Sequence, residues 1–110
     1  MSVQHPKLAA GRWFELTLVE QMANVGSEVE RAISWRERKN EAYAMKAVDR
    51  ALELLDLTIA DGKNRRRLRE PLRVREALAD YFYAANQYGS SDTLWRNYFF
   101  AFAYAARRLR

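Results

Sequence analysis

Apolar residues recur at steps of three and four along almost the whole chain, and this spacing constrains the fold more than any other feature. Phe14, Leu18, Met22, Val25, Val29 and Ile33 follow one another at helical steps, the period that gathers side chains on one face of an α-helix. Met45, Val48, Leu52, Leu55 and Ile59 repeat the pattern in a second segment that stops at Asp61-Gly62, where glycine readily adopts the left-handed conformation that closes a helix. A third stretch carries Leu68, Leu72, Ala79 and Phe82 on one face, widened by Val74, Leu78, Tyr81 and Ala85. Pro71 interrupts it, because a proline inside a helix forfeits a hydrogen bond and collides with the carbonyl four residues back, at ~3 kcal/mol. A kink or restart is therefore predicted at Pro71, with residues 65–70 as a loosely attached turn. Tyr88-Gly89-Ser90-Ser91-Asp92 reads as a turn followed by N-cap residues, whose side-chain oxygens accept from the free N–H groups of a new helix.

The predicted helices thus cover about 12–39, 41–61, 64–87 and 91–109. No alternating run of β-branched residues argues for a strand. Four long helices joined by short connections favour antiparallel neighbours, so an all-α, up-down-up-down four-helix bundle is expected. With 110 residues, the chain fills one domain, 1–110, and leaves no room for a second core.

That topology segregates charge. Lysine and arginine number nineteen against fourteen acids, and fifteen of the nineteen are arginine. The start of the first helix, the connection between the second and third, and the C-terminus all fall at one end of the bundle. Lys7, Arg12, Lys63, Arg65, Arg66, Arg67, Arg69, Arg107, Arg108 and Arg110 collect there against Glu15, Asp61 and Glu70, so this pole is expected to carry +7 and the rest of the molecule −2. An arginine run can simply be a solvated helix end with dipole-favourable cations. Two separate runs converge here, however, and the guanidinium fork suits bidentate phosphate contact. RNA or DNA is the partner this predicts, held by Arg12, Lys63, Arg65, Arg66, Arg67, Arg69, Arg107, Arg108 and Arg110.

The fourth helix is too apolar for one bundle. Between Leu94 and Ala106, eleven of thirteen residues are apolar and only Arg96 is charged, whereas a bundle helix buries a stripe of about three positions in seven. Trp95, Phe99, Phe102, Ala106 and Leu109 supply that stripe, leaving Phe100 and Tyr104 in line with Arg96 and with Arg107 or Arg108. Contiguous exposed aromatics usually mark contacts, so Arg96, Phe100 and Tyr104 are the expected interface of a symmetric homo-oligomer. The alternative is a platform on which unpaired bases stack.

Several chemistries are excluded. A di-metal carboxylate bundle needs paired Glu-x-x-His motifs and a Ser-His-Asp triad needs a base, but the one histidine is His5. Absent cysteine removes thiolate metal ligands and thiol nucleophiles, and no Gly-rich phosphate loop is present. Glu20, Asn24, Ser27 and Arg31 share one helical face, as do Asp49, Glu53 and Asp56; these read as solvated faces plus one buried polar cluster. Gly26 costs ~1 kcal/mol relative to alanine within a helix, which predicts close approach by another helix. The longest uncharged run, Tyr81 to Ser91, is 11 residues, against the ~20 a membrane span needs. Without a signal segment, a cytoplasmic protein lacking cofactor, metal and membrane is expected.

Asn24-Val25-Gly26-Ser27-Glu28-Val29-Glu30-Arg31-Ala32, Asp80-Tyr81-Phe82-Tyr83 and Trp95-Arg96-Asn97-Tyr98-Phe99, with the size, charge and pattern of the chain from Trp13 to Arg107, carry a family resemblance. The chain resembles the small bacterial four-helix-bundle proteins that comprise the 23S rRNA intervening-sequence proteins and the accessory variability (Avd-like) proteins of diversity-generating retroelements. The resemblance implies a pentameric ring of bundles with a basic surface that binds RNA or DNA and, in the second branch, a reverse transcriptase. It carries over no catalytic residue. The expected function is that of a non-enzymatic, nucleic-acid-binding accessory protein; the alternative is a protein-protein adaptor or structural oligomer whose basic pole is incidental.

Overall fold

A computed structural model describes residues 11–108. Four helices make up the fold, α1 (Leu18–Glu37), α2 (Glu41–Ala60), α3 (Arg69–Tyr83) and α4 (Asp92–Arg108), with short 3-10 turns at Arg12–Glu15 and Gly62–Asn64 and no strand among the described residues. Helix α1 packs against both α2 and α4, and α3 packs against α2. The order is antiparallel: the start of α1 meets the end of α2 through Gln21 and Asp61, and the end of α1 meets the start of α4 through Arg36 and Asp92. The seam between α3 and α4 is closed by side chains, with Tyr98 donating to Glu70 at 2.8 Å.

The first helix begins later than expected. Residues 12–15 form a separate turn, and Thr17 opens α1 with a capping box in which its hydroxyl accepts from the Glu20 amide (3.2 Å) while the Glu20 carboxylate accepts from the Thr17 amide (2.9 Å). Breaking the helix there rotates the segment so that Trp13, not Phe14, enters the core. The third helix takes the second of its two expected courses, a restart, which falls at Arg69, and Pro71 sits buried in its first turn, where a missing N–H costs nothing. It stops at Tyr83 instead of 87, because the Asp80 carboxylate accepts from the Gln87 and Tyr88 amides and Asn86 turns left-handed at φ 55°. Ser91 caps α4, its hydroxyl accepting from Leu94 N at 3.0 Å.

The core runs through Met22, Val25, Val29 and Ile33 of α1, Leu54 and Leu55 of α2, Val74 and Leu78 of α3, and Trp95 and Phe99 of α4. On α2 the buried line passes through Ala44, Ala47, Val48 and Ala51, displaced from the Met45–Leu52–Ile59 line. Small alanines let α1 approach closely, with Ala32 packed in the same cluster as Ala47 and Val48. Leu72 faces solvent, and Pro71, Val74 and Leu78 form the buried face of α3.

At the turn between α1 and α2, the Asn40 amide donates to Trp35 O and the Lys39 amide to Arg36 O, both at 2.9 Å, with Lys39 left-handed at φ 62°. This pair of bonds is the Schellman closure, in which glycine normally takes the left-handed place; a lysine there carries roughly 1 kcal/mol of strain.

Gly26 is where α4 touches α1. A Cβ there would lie 2.7 Å from the Cβ of Phe99 and 2.9 Å from its Cγ and Cδ1. Because the nearest atom is tied to the α4 backbone, the helices themselves would have to separate. Gly26→Val is expected to destabilise by about 2 kcal/mol, in the overpacking range, and Gly26→Ala to show none of the ~1 kcal/mol that helix propensity offers. Chemical denaturation measures both, and a stabilised valine variant would contradict the close approach.

Candidate nucleic-acid interface

The end of the bundle that carries the arginine loop is organised by a buried polar latch. The Trp13 indole N–H donates to Thr58 Oγ1 at 3.1 Å, and Thr58 in turn donates to Leu54 O at 2.8 Å. Gln21 donates to Trp13 O (3.1 Å) and to Asp61 Oδ2 (2.9 Å), while Asn64 Nδ2 donates to Gln21 Oε1 (2.8 Å) and Thr58 O (3.0 Å). All of these side chains are buried. Asp61 also receives the backbone amide and the ammonium of Lys63, and that ammonium donates to Phe14 O at 3.1 Å. Burial alone would raise the Asp61 carboxyl, but the hydrogen bonds from Lys63 and Gln21 outweigh it and hold the group below its ordinary range. The latch joins the Arg12–Glu15 turn, the start of α1 and the end of α2, and it fixes where the chain leaves toward Arg65.

Beyond the latch, Gly62, Lys63, Arg65, Arg66 and Arg67 line an open hollow on the surface. Arg69 borders a second hollow with Glu70, Arg73, Val74 and Tyr98, in the seam between α3 and α4. Burial and the hydrogen bond to Glu70 push the Tyr98 phenol up, keeping it neutral. Arg107 lines a shallow depression with Glu20, Asn24, Ser27, Ala103 and Ala106, which places the end of α4 beside the start of α1. The Arg108 guanidinium lies 5.7 Å from the Tyr104 ring centroid. The two arginine runs therefore share one end of the bundle, with Arg12 exposed there as well. Arg110 and Lys7 lie outside the described residues. Glu20, in the first turn of α1, joins Glu15, Asp61 and Glu70 as an acid of this end.

Two of the expected site residues have other work. Lys63 is bound into the latch through Asp61 and Phe14. Arg96 reaches back across α1 to Glu30 (2.8 Å) and Glu37 (3.1 Å), so it ties α4 to α1 rather than flanking Phe100 as a free cation. Phe100 and Tyr104 do stand out from the bundle, 64% and 50% exposed, with near-parallel rings 6.5 Å apart.

The arginines divide into two groups. Arg31 and Arg50 pair with Glu28, Arg36 with Asp92, Arg75 with Asp56 and Arg96 with Glu30 and Glu37. Arg12, Arg65, Arg66, Arg67, Arg69, Arg107 and Arg108 have no carboxylate partner among the described residues, nor does Arg73, one turn into α3 beside Arg69; Arg38, against the Trp35 ring at the other end of α1, is the exception to this grouping, unpaired away from the arginine loop. Arg73 was not among the expected residues, although its place four residues after Arg69 puts both on one helical face. No group of His, Asp and Glu able to hold a metal ion occurs among the described residues, and no described helix is long and apolar enough to cross a membrane. In comparisons with known proteins, no family model, curated protein or solved structure matches the chain.

Proposed function

We propose that this helical bundle is a non-enzymatic accessory protein that holds RNA or DNA by its phosphates at the arginine end and assembles with copies of itself through α4. The observation that carries this reading is the division of the arginines. Arg36, Arg50, Arg75 and Arg96 each reach a carboxylate on another helix and Arg31 one on its own, while the arginines of the 65–69 loop and the end of α4 converge without carboxylate partners among the described residues. Cations left unpaired at one end produce a field that draws polyanions and gives binding with little sequence preference. If about six of them contact phosphates, log K should fall against log salt with a slope of roughly −4 for single strands and −5 for duplex. Fluorescence anisotropy of labelled oligonucleotides across a salt series measures this, and an absence of binding at low salt would end the reading.

Self-association rests on Phe100 and Tyr104. Burying an aromatic side chain contributes ~1.5–3 kcal/mol, repeated at each interface of a symmetric assembly such as the pentameric ring that the family resemblance implies. Phe100→Glu is expected to give smaller particles by light scattering with unchanged helicity. A wild-type monomer at micromolar concentration would turn this face over to a different protein, and the resemblance names a reverse transcriptase as the first to test.

A further inference from the structure

We propose that the turn between α1 and α2, at the opposite end of the molecule from the arginine loop, is a second ligand site that takes a nucleotide unit, the base stacking on Tyr43 and the phosphate meeting Lys46 and Arg50. Trp35, Tyr43, Lys46 and Arg50 line an open hollow there. The aromatic part is held in place: Asn40 accepts from the Tyr43 amide at 3.1 Å, and the Trp35 and Tyr43 rings meet edge to face with centroids 4.9 Å apart. Cations stand around it. Lys46 Nζ lies 5.4 Å from the Tyr43 ring centroid, and the Arg38 guanidinium 5.2 Å from that of Trp35. Arg50 uses its Nε on Glu28 at 2.7 Å, which leaves its two terminal nitrogens to donate elsewhere.

The other tyrosines show why this one is different. The hydroxyls of Tyr81, Tyr83, Tyr88 and Tyr98 each donate to a carboxylate, on Asp92, Asp49, Glu76 and Glu70, so an incoming phosphate would meet negative charge beside each ring. Tyr104 sits against Arg108 at the arginine end already described. Tyr43 is 48% exposed, and the charged side chains lining its hollow are cationic only. A planar aromatic surface ringed by cations matches a base together with its phosphate, since bases stack on aromatic rings and arginine or lysine meets the backbone.

The turn itself lies the 20 residues of helix α1 from the arginine end, about 30 Å at 1.5 Å per residue, and Arg50, midway along α2, about half that. The inference rests on the nucleic-acid reading only for the source of the nucleotide, which is either an unpaired residue of a strand or a free nucleotide. Tryptophan fluorescence reads the site directly, because Trp13 and Trp95 are 1% and 4% exposed while Trp35 is half-buried beside the hollow. Titrating the full chain with single-stranded oligoadenylate is expected to quench that emission saturably. Tyr43→Ala should weaken the quenching affinity about tenfold, in line with the loss of one base-stacking contact, without lowering the melting temperature. Quenching should persist when Arg65, Arg66, Arg67 and Arg69 are all changed to glutamate. Adenosine monophosphate quenching with comparable affinity identifies a free nucleotide as the ligand, and quenching by the oligomer alone identifies a strand. Unquenched emission while labelled oligoadenylate still binds by anisotropy would overturn this site and leave the arginine end standing. Unchanged affinity in Tyr43→Ala, or equal quenching by polyglutamate, would overturn it as well. If labelled oligoadenylate does not bind at all, the arginine reading falls, and quenching by the mononucleotide then supports this site while its absence overturns it.

Discussion

Replacing Arg65, Arg66, Arg67 and Arg69 together by glutamate is expected to abolish RNA and DNA binding at the arginine end while leaving the protein folded. The loss is large because the change reverses the local field instead of merely removing it. At a slope contribution of about 0.7 to 0.9 per phosphate contact, four lost contacts alone reduce affinity by orders of magnitude at low salt. The fold should tolerate the change for specific reasons. All four side chains are exposed. The loop is held by backbone bonds that do not depend on them, Arg65 N to Gly62 O at 3.3 Å and Arg67 N to Asn64 O at 2.7 Å. Arg69 opens α3, where an acidic side chain is favoured by the helix dipole by ~0.3–1 kcal/mol. The variant should therefore melt within a few degrees of wild type and keep its particle size, while anisotropy with labelled duplex shows no binding and with single strands loses its steep salt dependence. Unchanged affinity would favour the adaptor function, and loss of folding would make the run structural.

Trp13→Ala is expected to be the most damaging single substitution in the N-terminal turn. Truncating a fully buried tryptophan costs ~3–5 kcal/mol, a large share of the ~5–15 kcal/mol that holds a domain together. Trp13 is 1% exposed and its indole donates to Thr58. The melting temperature should fall by roughly 15 °C or more, at ~4–8 °C per kcal/mol for a domain of this size. Trp13→Phe separates packing from hydrogen bonding. It keeps most of the apolar area, and Thr58 still donates to Leu54 O, so about 1–2 kcal/mol should be lost. Because the carbonyls of Trp13 and Phe14 anchor Gln21 and Lys63, Trp13→Ala should also loosen the arginine loop and weaken binding beyond the fraction unfolded. A thermal shift no larger than that of Trp13→Phe would show that the turn is not part of the core.

Helix type and count were legible from the spacing of apolar side chains, because a period near 3.6 serves only a helix with one buried face. The antiparallel order followed from short connections, and with it the meeting of two arginine runs at one end. The outward-facing Phe100 and Tyr104 followed from too many apolar positions on α4 for a single core. The capping box at Thr17-Leu18-Val19-Glu20 was also present to be read; the longer apolar stripe through Phe14 obscured it, and with it the burial of Trp13.

Other features depend on which atoms meet across helices. Alanine gives a weak periodic signal, yet Ala44, Ala47 and Ala51 set the contact line of α2, because close approach rewards small side chains that a hydrophobicity pattern undervalues. Gln21, Thr58, Asp61 and Asn64 are polar residues that look solvated one at a time, and hydrogen bonds from Gln21 to Asp61 and from Asn64 to Gln21 and the Thr58 carbonyl offset their burial. Charge shows the same division. Arginine's abundance and its places along the chain are read without the fold. Whether a given guanidinium is spent on a carboxylate or left for a ligand is a matter of distances between helices, and it separates Arg96, bound to Glu30 and Glu37, from Arg65, Arg66 and Arg67 around their open hollow.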